Sequence, residues 1–555
     1  MPEYSYYFVL RGYRKVLESL GDVVVVQNPA LQVDPLYEES CQRGTPCVFI
    51  SFSPPNKTIA SLRCPTISVF AWEFSNIPYE VWDGDARHDW RVVLKQLGRS
   101  ITLSTHTAHV VRQALGDEFA IAAIPVPVYA PAAAADVRLP PLAARSLAIG
   151  CTAIDSRFYE VGSDTFSADI PPEFFQLRDW YGEPIELDFK LGDEGSGFLG
   201  GFYESEQWGT WSRIADPWVL LPIALVGHCK LGVELTSYGA NVGTEIQVAV
   251  GEQRFPLALT NDFLRTEFVC DIRQPVNLIQ FIGLDVSGIS GARDPRSLGI
   301  GLRKIWLEGN SSTEPAVAKK KLPLQLALEG VVYTSVLNPG DDRKNWLEML
   351  TAFCYAFRSE PRATLILKMT HRSVGAFLGQ FHYTLQRIGH VECRVIILHG
   401  YLEDDAYQQL IDISTYCVNS SRCEGLCLPL MEFMSCGVPA VAPCHTAMED
   451  YIDADNAFIV QSSLEPGIWP HDTRALYRTL RYRINWSSLV DAFRASFRVA
   501  CDDSAKYAQM SSHARDAQRR FSSHDVVRQQ LSAFLRVGDG NDATADVLLS
   551  SRRTL

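Results

Sequence analysis

The sequence lacks several features that would point directly to a function. None of its 14 cysteines stands in a CxxC pair, so their spacing indicates neither a disulfide framework nor a zinc site. No apolar run reaches the roughly 18 residues that a bilayer-spanning helix needs. The opening stretch, MPEYSYYFVLRGYRK, has no apolar segment of the kind found in secretory signals. We therefore expect reduced thiols and a cytoplasmic protein, with peripheral contact at the inner face of a membrane left open.

Basic charge is also scarce in this chain. Lysine and arginine together number 51 against 64 aspartates and glutamates, which gives a net charge of −13. Neutralising nucleic-acid phosphates needs a basic face, so the composition argues against a dedicated nucleic-acid binder. The hydrophobic share of 47% is ordinary for a soluble globular protein. A chain of 555 residues is too long for one core, so several domains are expected.

Two regions of the sequence alternate short apolar runs with amphipathic stretches. The first, residues 1–145, contains the runs VVVVQNP, CVFISF, TISVFAW, SITLS and AIAAIPVPV, and its first visible element is a helix. The second, residues 322–536, shows the same alternation from VVYTSVL to AFIV and ends in helical sequence. Near-continuous apolar strands between helices are typical of a parallel sheet covered on both faces. We predict an α/β fold with two Rossmann-like domains.

The region between them, residues 146–312, has a different rhythm. From 187 to 309 it consists of short apolar runs broken by glycine, proline and polar residues, which predicts a β-sandwich or jelly roll. Its tryptophans, Trp208, Trp211 and Trp218, either pack in the core of that module or offer an apolar platform to a glycan. Residues 537–555 are expected to form a disordered tail.

The stretch SRCEGLCLPLMEFMSCGVPAVAP carries two carboxylates with seven residues between them. Glu424 falls in the loop after the strand TYCVNSS, and Glu432 lies about one turn into the next helix. Ligands of open α/β sheets bind at the carboxyl ends of the strands. Carboxylates accept hydrogen bonds from vicinal diols, and a nucleotide sugar presents such diols on both sides of its diphosphate. A capping or solvated role is the alternative for both glutamates.

A positive charge to match the diphosphate is found in VVYTSVLNPGDDRKNW. Arg343 and Lys344 follow the first strand of the second α/β region, at the same edge of the sheet as Glu424. Arginine can hold a phosphate through two hydrogen bonds, and lysine supplies a compact charge. The alternative is a solvated pair of side chains in a turn.

Taken together, these motifs resemble a known family. The two glutamates with their spacing, the glycine–valine–proline turn that follows and the segment NPGDDRKNW are similar to those of retaining glycosyltransferases with two Rossmann-like domains, the GT-B fold. The match is closest to glycosyltransferase family 4, over about residues 328–460 and more weakly over 45–130. The central module looks like the jelly-roll modules attached to some bacterial polysaccharide-assembling transferases.

The resemblance implies roles for individual residues. Glu432 matches the glutamate that holds the ribose hydroxyls, and Glu424 matches the one that faces the transferred sugar. The backbone of Gly425 and Leu426 would contact that sugar, Arg343 and Lys344 would hold the diphosphate, and Tyr401 would pack against the base. Catalysis would then be mainly electrostatic and positional, with no metal and no cofactor besides the nucleotide-diphosphate sugar.

On the acceptor side the chain departs from the family. Many members carry a histidine on the loop that here reads FAWEFSNIP, where Glu73 could act as the base and Trp72 could stack on a sugar. Both could also serve only as the end of a strand. The resemblance implies a retaining hexosyltransferase that uses a glycan or lipid-linked glycan acceptor in bacterial-type surface polysaccharide synthesis.

Two other functions stay open at the level of the sequence. The chain could be a non-catalytic carbohydrate-binding protein on the same scaffold, or a sugar-nucleotide epimerase. The donor sugar, its base, the acceptor and the linkage depend on a few pocket positions that sequence patterns do not resolve.

Overall fold

The structure is a computed structural model. It describes residues 3–128, 138–149, 151–158, 178–179, 184–190, 199–203, 205–286, 296–309, 324–369, 375–400, 402–536 and 546–550. The chain divides into two compact units. The first comprises Met1–Pro141, Arg343–Asn345 and Ser414–Leu555, and the second comprises Leu142–Asp342 and Trp346–Ile413.

The helices of the described residues are α1 (Glu3–Glu18), α2 (Pro29–Arg43), α3 (Trp90–Leu97), α4 (Thr105–Leu115), α5 (Trp346–Ala356), α6 (Gly375–Ile388), α7 (Asp404–Ile413), α8 (Leu428–Ser435), α9 (Trp486–Asp502), α10 (Ser504–Ser522) and α11 (His524–Arg536). The strands of the first half are β1 (Val23–Val26), β2 (Cys47–Phe52), β3 (Thr66–Phe70), β4 (Arg99–Thr102), β5 (Ala120–Ala123), β6 (Arg145–Ile149), β7 (Thr152–Asp155), β8 (Arg178–Asp179), β9 (Ile185–Asp188), β10 (Leu199–Gly200), β11 (Thr210–Trp211), β12 (Trp218–Ser237), β13 (Glu245–Val250), β14 (Gln253–Ala258) and β15 (Leu264–Ile282).

The strands of the second half are β16 (Ile300–Gly309), β17 (Leu324–Leu328), β18 (Val331–Leu337), β19 (Ala363–Met369), β20 (Arg394–His399), β21 (Tyr416–Val418), β22 (Ala440–Ala442), β23 (Ala457–Ile459), β24 (Ser462–Ile468), β25 (Tyr477–Ile484) and β26 (Asp546–Ser550).

A parallel sheet forms the first part of unit one. Its strand order is β1-β26-β2-β3-β4-β5, and each neighbouring pair runs parallel. Strands β2 and β3 are buried along their whole length, as the continuous apolar sequences CVFISF and TISVF require. The predicted parallel α/β arrangement of this region is confirmed, as is the helix that precedes its first strand.

The carboxyl-terminal part of unit one contains β21, β22 and β23, which also pair in parallel. Helix α8 connects β21 to β22 and packs against α10. Tyr416 and Tyr507 are both fully buried, and their hydroxyls donate to the carbonyls of Ser496 and Thr415, each at 2.8 Å. These contacts fix β21, and the loop that follows this strand carries Glu424.

The core of unit one includes side chains from both ends of the chain. Trp72, Trp82 and Trp90 from the amino-terminal half share a buried cluster with Cys423 and Trp469 from the carboxyl-terminal half. The loop that holds Glu424 is therefore packed directly against the amino-terminal sheet.

Unit two combines an α/β part with a β module. Strands β18, β19 and β20 pair in parallel, and β7 joins β20 in the antiparallel sense. Strand β6 pairs with β17. The β module has nine strands among the described residues, in the order β11-β16-β12-β15-β13-β14, with β8 and β10 also on β12 and β9 on β16. All of its pairings are antiparallel except that of β8 with β12.

Two expectations differ from the structure. The tail 537–555 was expected to be disordered, but Asp546–Ser550 forms β26 and pairs in parallel with both β1 and β2. An apolar run such as VLL fits an interior strand, and only its distant pairing partners reveal it. The β module was expected to begin at residue 146, whereas β6 and β7 pair with strands of the α/β part.

Within the described residues, no helix combines the length and the apolar character that crossing a bilayer requires.

Candidate functional site

The candidate site lies in unit one, where two loops meet. The loop after β21 carries Glu424, and a 3-10 turn over Asp342–Lys344 supplies Arg343 and Lys344. The loops are joined through their backbones, because the N–H of Arg422 donates to the carbonyl of Arg343 at 2.7 Å. This juxtaposition agrees with the prediction that both loops lie at the same edge.

Glu424 is the centre of this arrangement. Its Oε1 accepts hydrogen bonds from Lys344 Nζ and Ser421 Oγ, each at 2.6 Å, and from Asn419 Nδ2 at 3.2 Å. Its Oε2 accepts from Arg343 Nη1 at 2.9 Å. Glu424 is only 2% exposed, so its two oxygens are satisfied by the protein itself.

The two cations are more accessible than the carboxylate they share. The side chain of Lys344 is 16% exposed and that of Arg343 is 24% exposed. Burial alone would raise the pKa of Glu424, but the charges of Lys344 and Arg343, with the hydrogen bonds of Lys344 and Ser421, hold that pKa well below its usual range. Glu424 is therefore ionised, and it pairs with both cations.

The backbone around the site is strained. Asn345, Cys427 and Thr446 have positive φ angles of 53°, 66° and 54°. Asparagine adopts this region readily, whereas cysteine and the β-branched threonine rarely do, so Cys427 and Thr446 are strained. Cys427 is the N-cap of α8, and its thiol lies 3.1 Å from Asn419 Nδ2. Left-handed residues clustered near one carboxylate are a feature of functional sites.

Gly425, Leu426 and Glu432 follow Glu424 in the chain. A Cβ on Gly425 would lie 2.8 Å from the Ala71 Cβ and 3.3 Å from the Trp72 nitrogen, so only glycine fits between this loop and the end of β3. Leu426 is buried, and its carbonyl accepts a hydrogen bond from the Tyr451 hydroxyl at 2.7 Å. Glu432 lies half-buried on α8.

The acceptor-side residues occupy different positions. Glu73 reaches the cluster, with its Oε1 at 3.2 Å from Arg343 Nε. Trp72 is only 5% exposed and donates from its indole to the Asn76 carbonyl at 2.7 Å, with its ring 4.5 Å from that of Trp90. Trp72 therefore packs in the core and has no ring face to stack on a sugar, which corrects the expectation for it.

His445 lies in the loop after β22 and completes the site. Its ring stacks on Tyr482 at 4.3 Å and 7°, and it is 1% exposed. Burial lowers the pKa of His445 to about 4, so the imidazole is neutral. Two hydrogen bonds connect this loop to the backbone of Glu424. The Glu424 N–H donates to Thr446 Oγ1 at 3.0 Å, and the Glu424 carbonyl accepts from the Ala447 N–H at 3.2 Å.

Several predicted residues have other outcomes. Tyr401 lies outside the described residues. Trp218 is buried, whereas Trp208 and Trp211 are half-buried and pack against each other edge to face at 5.2 Å. Across the described ranges, no group of three or more histidine, cysteine or acidic side chains could hold a metal ion.

Sequence reasoning did not find Asn419, Ser421, Thr446 or His445. Asn419 and Ser421 belong to the polar run NSS directly after β21, and His445 and Thr446 come shortly after the carboxyl end of β22. The rule that ligands bind where parallel strands end would have selected these positions.

The comparisons with known proteins recognise a segment that contains part of the site. Residues 374–468 match the family model described as glycosyl transferases group 1. A search of curated proteins gives no significant match. This segment contains Glu424, Glu432 and His445.

Several solved structures are also similar to part of this chain. Anabaena HepE, solved with UDP and glucose, is 18% identical with a TM-score of 0.29, covering 38% of this chain and 48% of its own. Staphylococcus aureus TarM, solved as a mutant with fondaparinux, alpha-GlcNAc-glycerol and UDP, is 14% identical with a TM-score of 0.27, covering 37% and 35%. Sucrose-phosphate synthase from Thermosynechococcus elongatus is 19% identical with a TM-score of 0.27, covering 37% and 45%.

This chain thus spans about half or less of each of these solved proteins. At such low identities and TM-scores, the likenesses carry no assignment of substrate or partner. The support for a glycosyltransferase comes from the segment 374–468, which matches the group 1 family model and carries the Glu424 loop.

Proposed function

We propose that this chain is a retaining glycosyltransferase of the family 4 type. It would move a hexose-type sugar from a nucleotide-diphosphate sugar to a glycan or lipid-linked glycan, in bacterial-type surface polysaccharide synthesis. The proposal includes a GT-B arrangement of two Rossmann-like domains with a jelly-roll module between them. It also includes a cytoplasmic location, with peripheral contact at a membrane.

The observation that carries the proposal is the convergence of Lys344 and Arg343 on the buried Glu424. Such a paired cluster holds positive charge in a fixed position without leaving it unpaired in the ligand-free protein. A departing diphosphate gains negative charge in the transition state, and fixed cations stabilise that charge. No metal is required for this step.

The geometry suggests how a nucleotide-sugar donor would bind at this site. Glu424 is buried and both of its oxygens already accept hydrogen bonds, so a sugar hydroxyl has little access to this side chain. A diphosphate that takes hydrogen bonds from Lys344 and Arg343 would release acceptor capacity on Glu424, which could then bind the sugar. Gly425 and Leu426 would line the sugar and Glu432 would hold the ribose. Binding of the two halves of the donor would thus be coupled at Glu424.

Glu73 is the proposed base for the acceptor. Glu73 forms a salt bridge with Arg343. A diphosphate that binds Arg343 would weaken this salt bridge, just as it would weaken the pairing of Arg343 with Glu424. A carboxylate released in this way can accept the proton of the attacking hydroxyl.

The test is a donor screen by thermal shift and calorimetry, with UDP-, GDP- and ADP-linked sugars, for the wild type and Glu432→Ala. Glu118→Ala, an exposed carboxylate of the same unit, is the matched control. We expect one donor to stabilise the wild type and the control, and to lose most of its affinity for Glu432→Ala. Equal binding by all three proteins would contradict the assigned site.

A product assay separates the enzymatic alternatives. With the donor identified, NMR of the sugar anomeric proton should show a transferred or hydrolysed sugar of retained configuration. A nucleotide sugar recovered with one inverted ring carbon would indicate an epimerase. A folded protein that binds no donor would support the carbohydrate-binding alternative.

A further inference from the structure

A cavity lies entirely within unit two. Its volume is about 370 Å³, within the range of roughly 300–1,000 Å³ that is usual for small-molecule sites. The described side chains that line it include Tyr203, Glu206, Arg213, Arg296 and Tyr383. The first three come from the start of the β module, and Tyr383 comes from α6.

A hydrogen-bonded hairpin supports the cavity. The N–H of Tyr203 donates to the carbonyl of Trp211 at 2.8 Å, and the Thr210 hydroxyl donates to the carbonyl of Tyr203 at 2.8 Å. At the tip, the N–H of Glu206 donates to the Gly209 carbonyl at 2.7 Å. These contacts fix the backbone positions of Tyr203 and Glu206.

The carboxylate of Glu206 is held in place by two donors. Its Oε1 pairs with Arg296 Nη2 at 2.9 Å, and its Oε2 accepts from the Trp208 indole at 2.8 Å. The guanidinium of Arg296 also lies over the ring of Tyr203, 5.1 Å from its centroid. Trp208 in turn packs against Trp211, so the half-buried tryptophans orient the cavity wall.

This combination of groups matches the chemistry of a sugar ring. An aromatic side chain covers the C–H face of a pyranose, whereas a carboxylate and guanidinium groups accept from and donate to its hydroxyls. Tyr203 is half-buried, and Tyr383 is 42% exposed, with the guanidinium of Arg387 5.5 Å from its ring centroid.

We propose that this cavity binds a pyranose unit of a glycan, separately from the candidate donor site. Two guanidinium groups against one carboxylate among the described charged lining residues favour a sugar acid such as a uronate over a neutral sugar. The proposal does not depend on catalysis, because a site for the glycan is equally compatible with a transferase and with a binding protein.

The experiment uses the full chain. A glycan array of defined neutral and uronate-containing oligosaccharides is probed with the fluorescently labelled protein, and hits are measured by calorimetry. The variants are Tyr383→Ala, Glu206→Gln and, as the control, Tyr477→Ala, whose side chain is 69% exposed in unit one. We expect at least tenfold weaker glycan binding for Tyr383→Ala and Glu206→Gln. The control, Tyr477→Ala, should bind the glycan as tightly as the wild type.

The readouts separate this proposal from the donor site. Tyr383→Ala should keep the unfolding temperature of the wild type, because its side chain is exposed, and should leave nucleotide-sugar binding unchanged. A folded wild type that binds no glycan on the array would overturn the proposal. Glycan binding that survives both Tyr383→Ala and Glu206→Gln would overturn it as well, whatever the outcome of the donor screen.

Discussion

Asp155 in unit two and Glu424 in unit one are both nearly inaccessible to water, at 1% and 2% exposed, and each pairs with two cations. Asp155 joins β7 to β20, because Arg394 Nη2 lies 2.6 Å from its Oδ2 and Arg394 Nε lies within 3.2 Å of both oxygens. The side chain of Arg394 is itself only 7% exposed, and its Nη1 donates to the Ala327 carbonyl at 2.6 Å.

The cations of Glu424 are not enclosed in this way. Lys344 and Arg343 keep part of their surface, and strained residues such as Cys427 and Thr446 lie close by. The pair of Asp155 with Arg394 buries both partners, whereas Glu424 is buried and both of its cations keep part of their surface. Burial of a carboxylate alone therefore does not identify a site.

The largest effect is expected from breaking the structural pair. Arg394→Met leaves Asp155 with only the half-exposed Arg157, and a buried charge that loses its partner costs about 3–5 kcal/mol. Urea unfolding measures the free energy of unfolding directly. Arg157→Met is the matched control and should cost less than about 1 kcal/mol. A loss of similar size in both variants would refute the distinction between the two arginines.

A smaller effect is expected on the pH dependence of stability. In the unfolded state the pKa of His445 has its usual value of 6.5, whereas in the folded state it is about 4. The unfolded state therefore binds more protons in this window, so stability falls as the pH decreases, by about 2 kcal/mol between pH 7 and pH 5. Glu424 loses its contribution only at lower pH, below its usual value of 4.5.

His445→Phe keeps the stack on Tyr482 and removes the titration. The difference in unfolding free energy between pH 7 and pH 5 should therefore shrink by about 2 kcal/mol. Tyr482→Phe, which keeps the imidazole, should retain the wild-type pH dependence. Parallel pH profiles for His445→Phe and the wild type would contradict the neutral, buried state of His445.

Lys344→Met tests the Glu424 cluster. Arg343 still pairs with Glu424 in this variant, so the loss of stability should be less than for Arg394→Met. Donor affinity should fall roughly 10- to 100-fold, since a hydrogen bond to a charged group contributes about 1.5–3 kcal/mol. Calorimetry with the donor from the screen measures this change. A variant that unfolds like Arg394→Met yet binds donor normally would assign the Glu424 cluster to the fold.

The smallest effect concerns backbone strain. Cys427 has φ +66°, which costs an L residue about 1–2 kcal/mol, so Cys427→Gly should be neutral or more stable by up to about 1 kcal/mol. Cys436 ends the same helix with φ −87°, and Cys436→Gly should be less stable by about 1 kcal/mol. Thermal unfolding of the two variants compares them. Destabilisation by Cys427→Gly that matches Cys436→Gly would show that no strain is stored at Cys427.

The sequence predicted those parts of the fold that local patterns determine. Continuous apolar runs identified β2 and β3, and the rule for strand ends brought Arg343 and Lys344 to Glu424. The position of β26 beside β1 and β2 depends on a pairing more than 490 residues away along the chain, which no local pattern contains. The pairing of Asp155 with Arg394 spans 239 residues and was likewise not visible.

The errors within the candidate site have a common physical cause. The side chain of Trp72 could have pointed to solvent or to the core, and its packing against Trp90 decides for the core. The number of donors around Glu424 is a property of the folded loop, so its hydrogen bonds with Asn419 and Ser421 were not visible in the sequence. The sequence shows the chemical type of each side chain, but it does not show whether that side chain is accessible to a ligand.

The most direct test is calorimetry of UDP, GDP and ADP binding to the wild type, Lys344→Met and Arg157→Met. We expect one nucleoside diphosphate to bind the wild type and Arg157→Met alike, and to bind Lys344→Met at least tenfold more weakly while that variant is folded. Equal affinity for all three proteins, or no binding to the folded wild type, would contradict the claim that the Glu424 cluster holds its cations for a diphosphate.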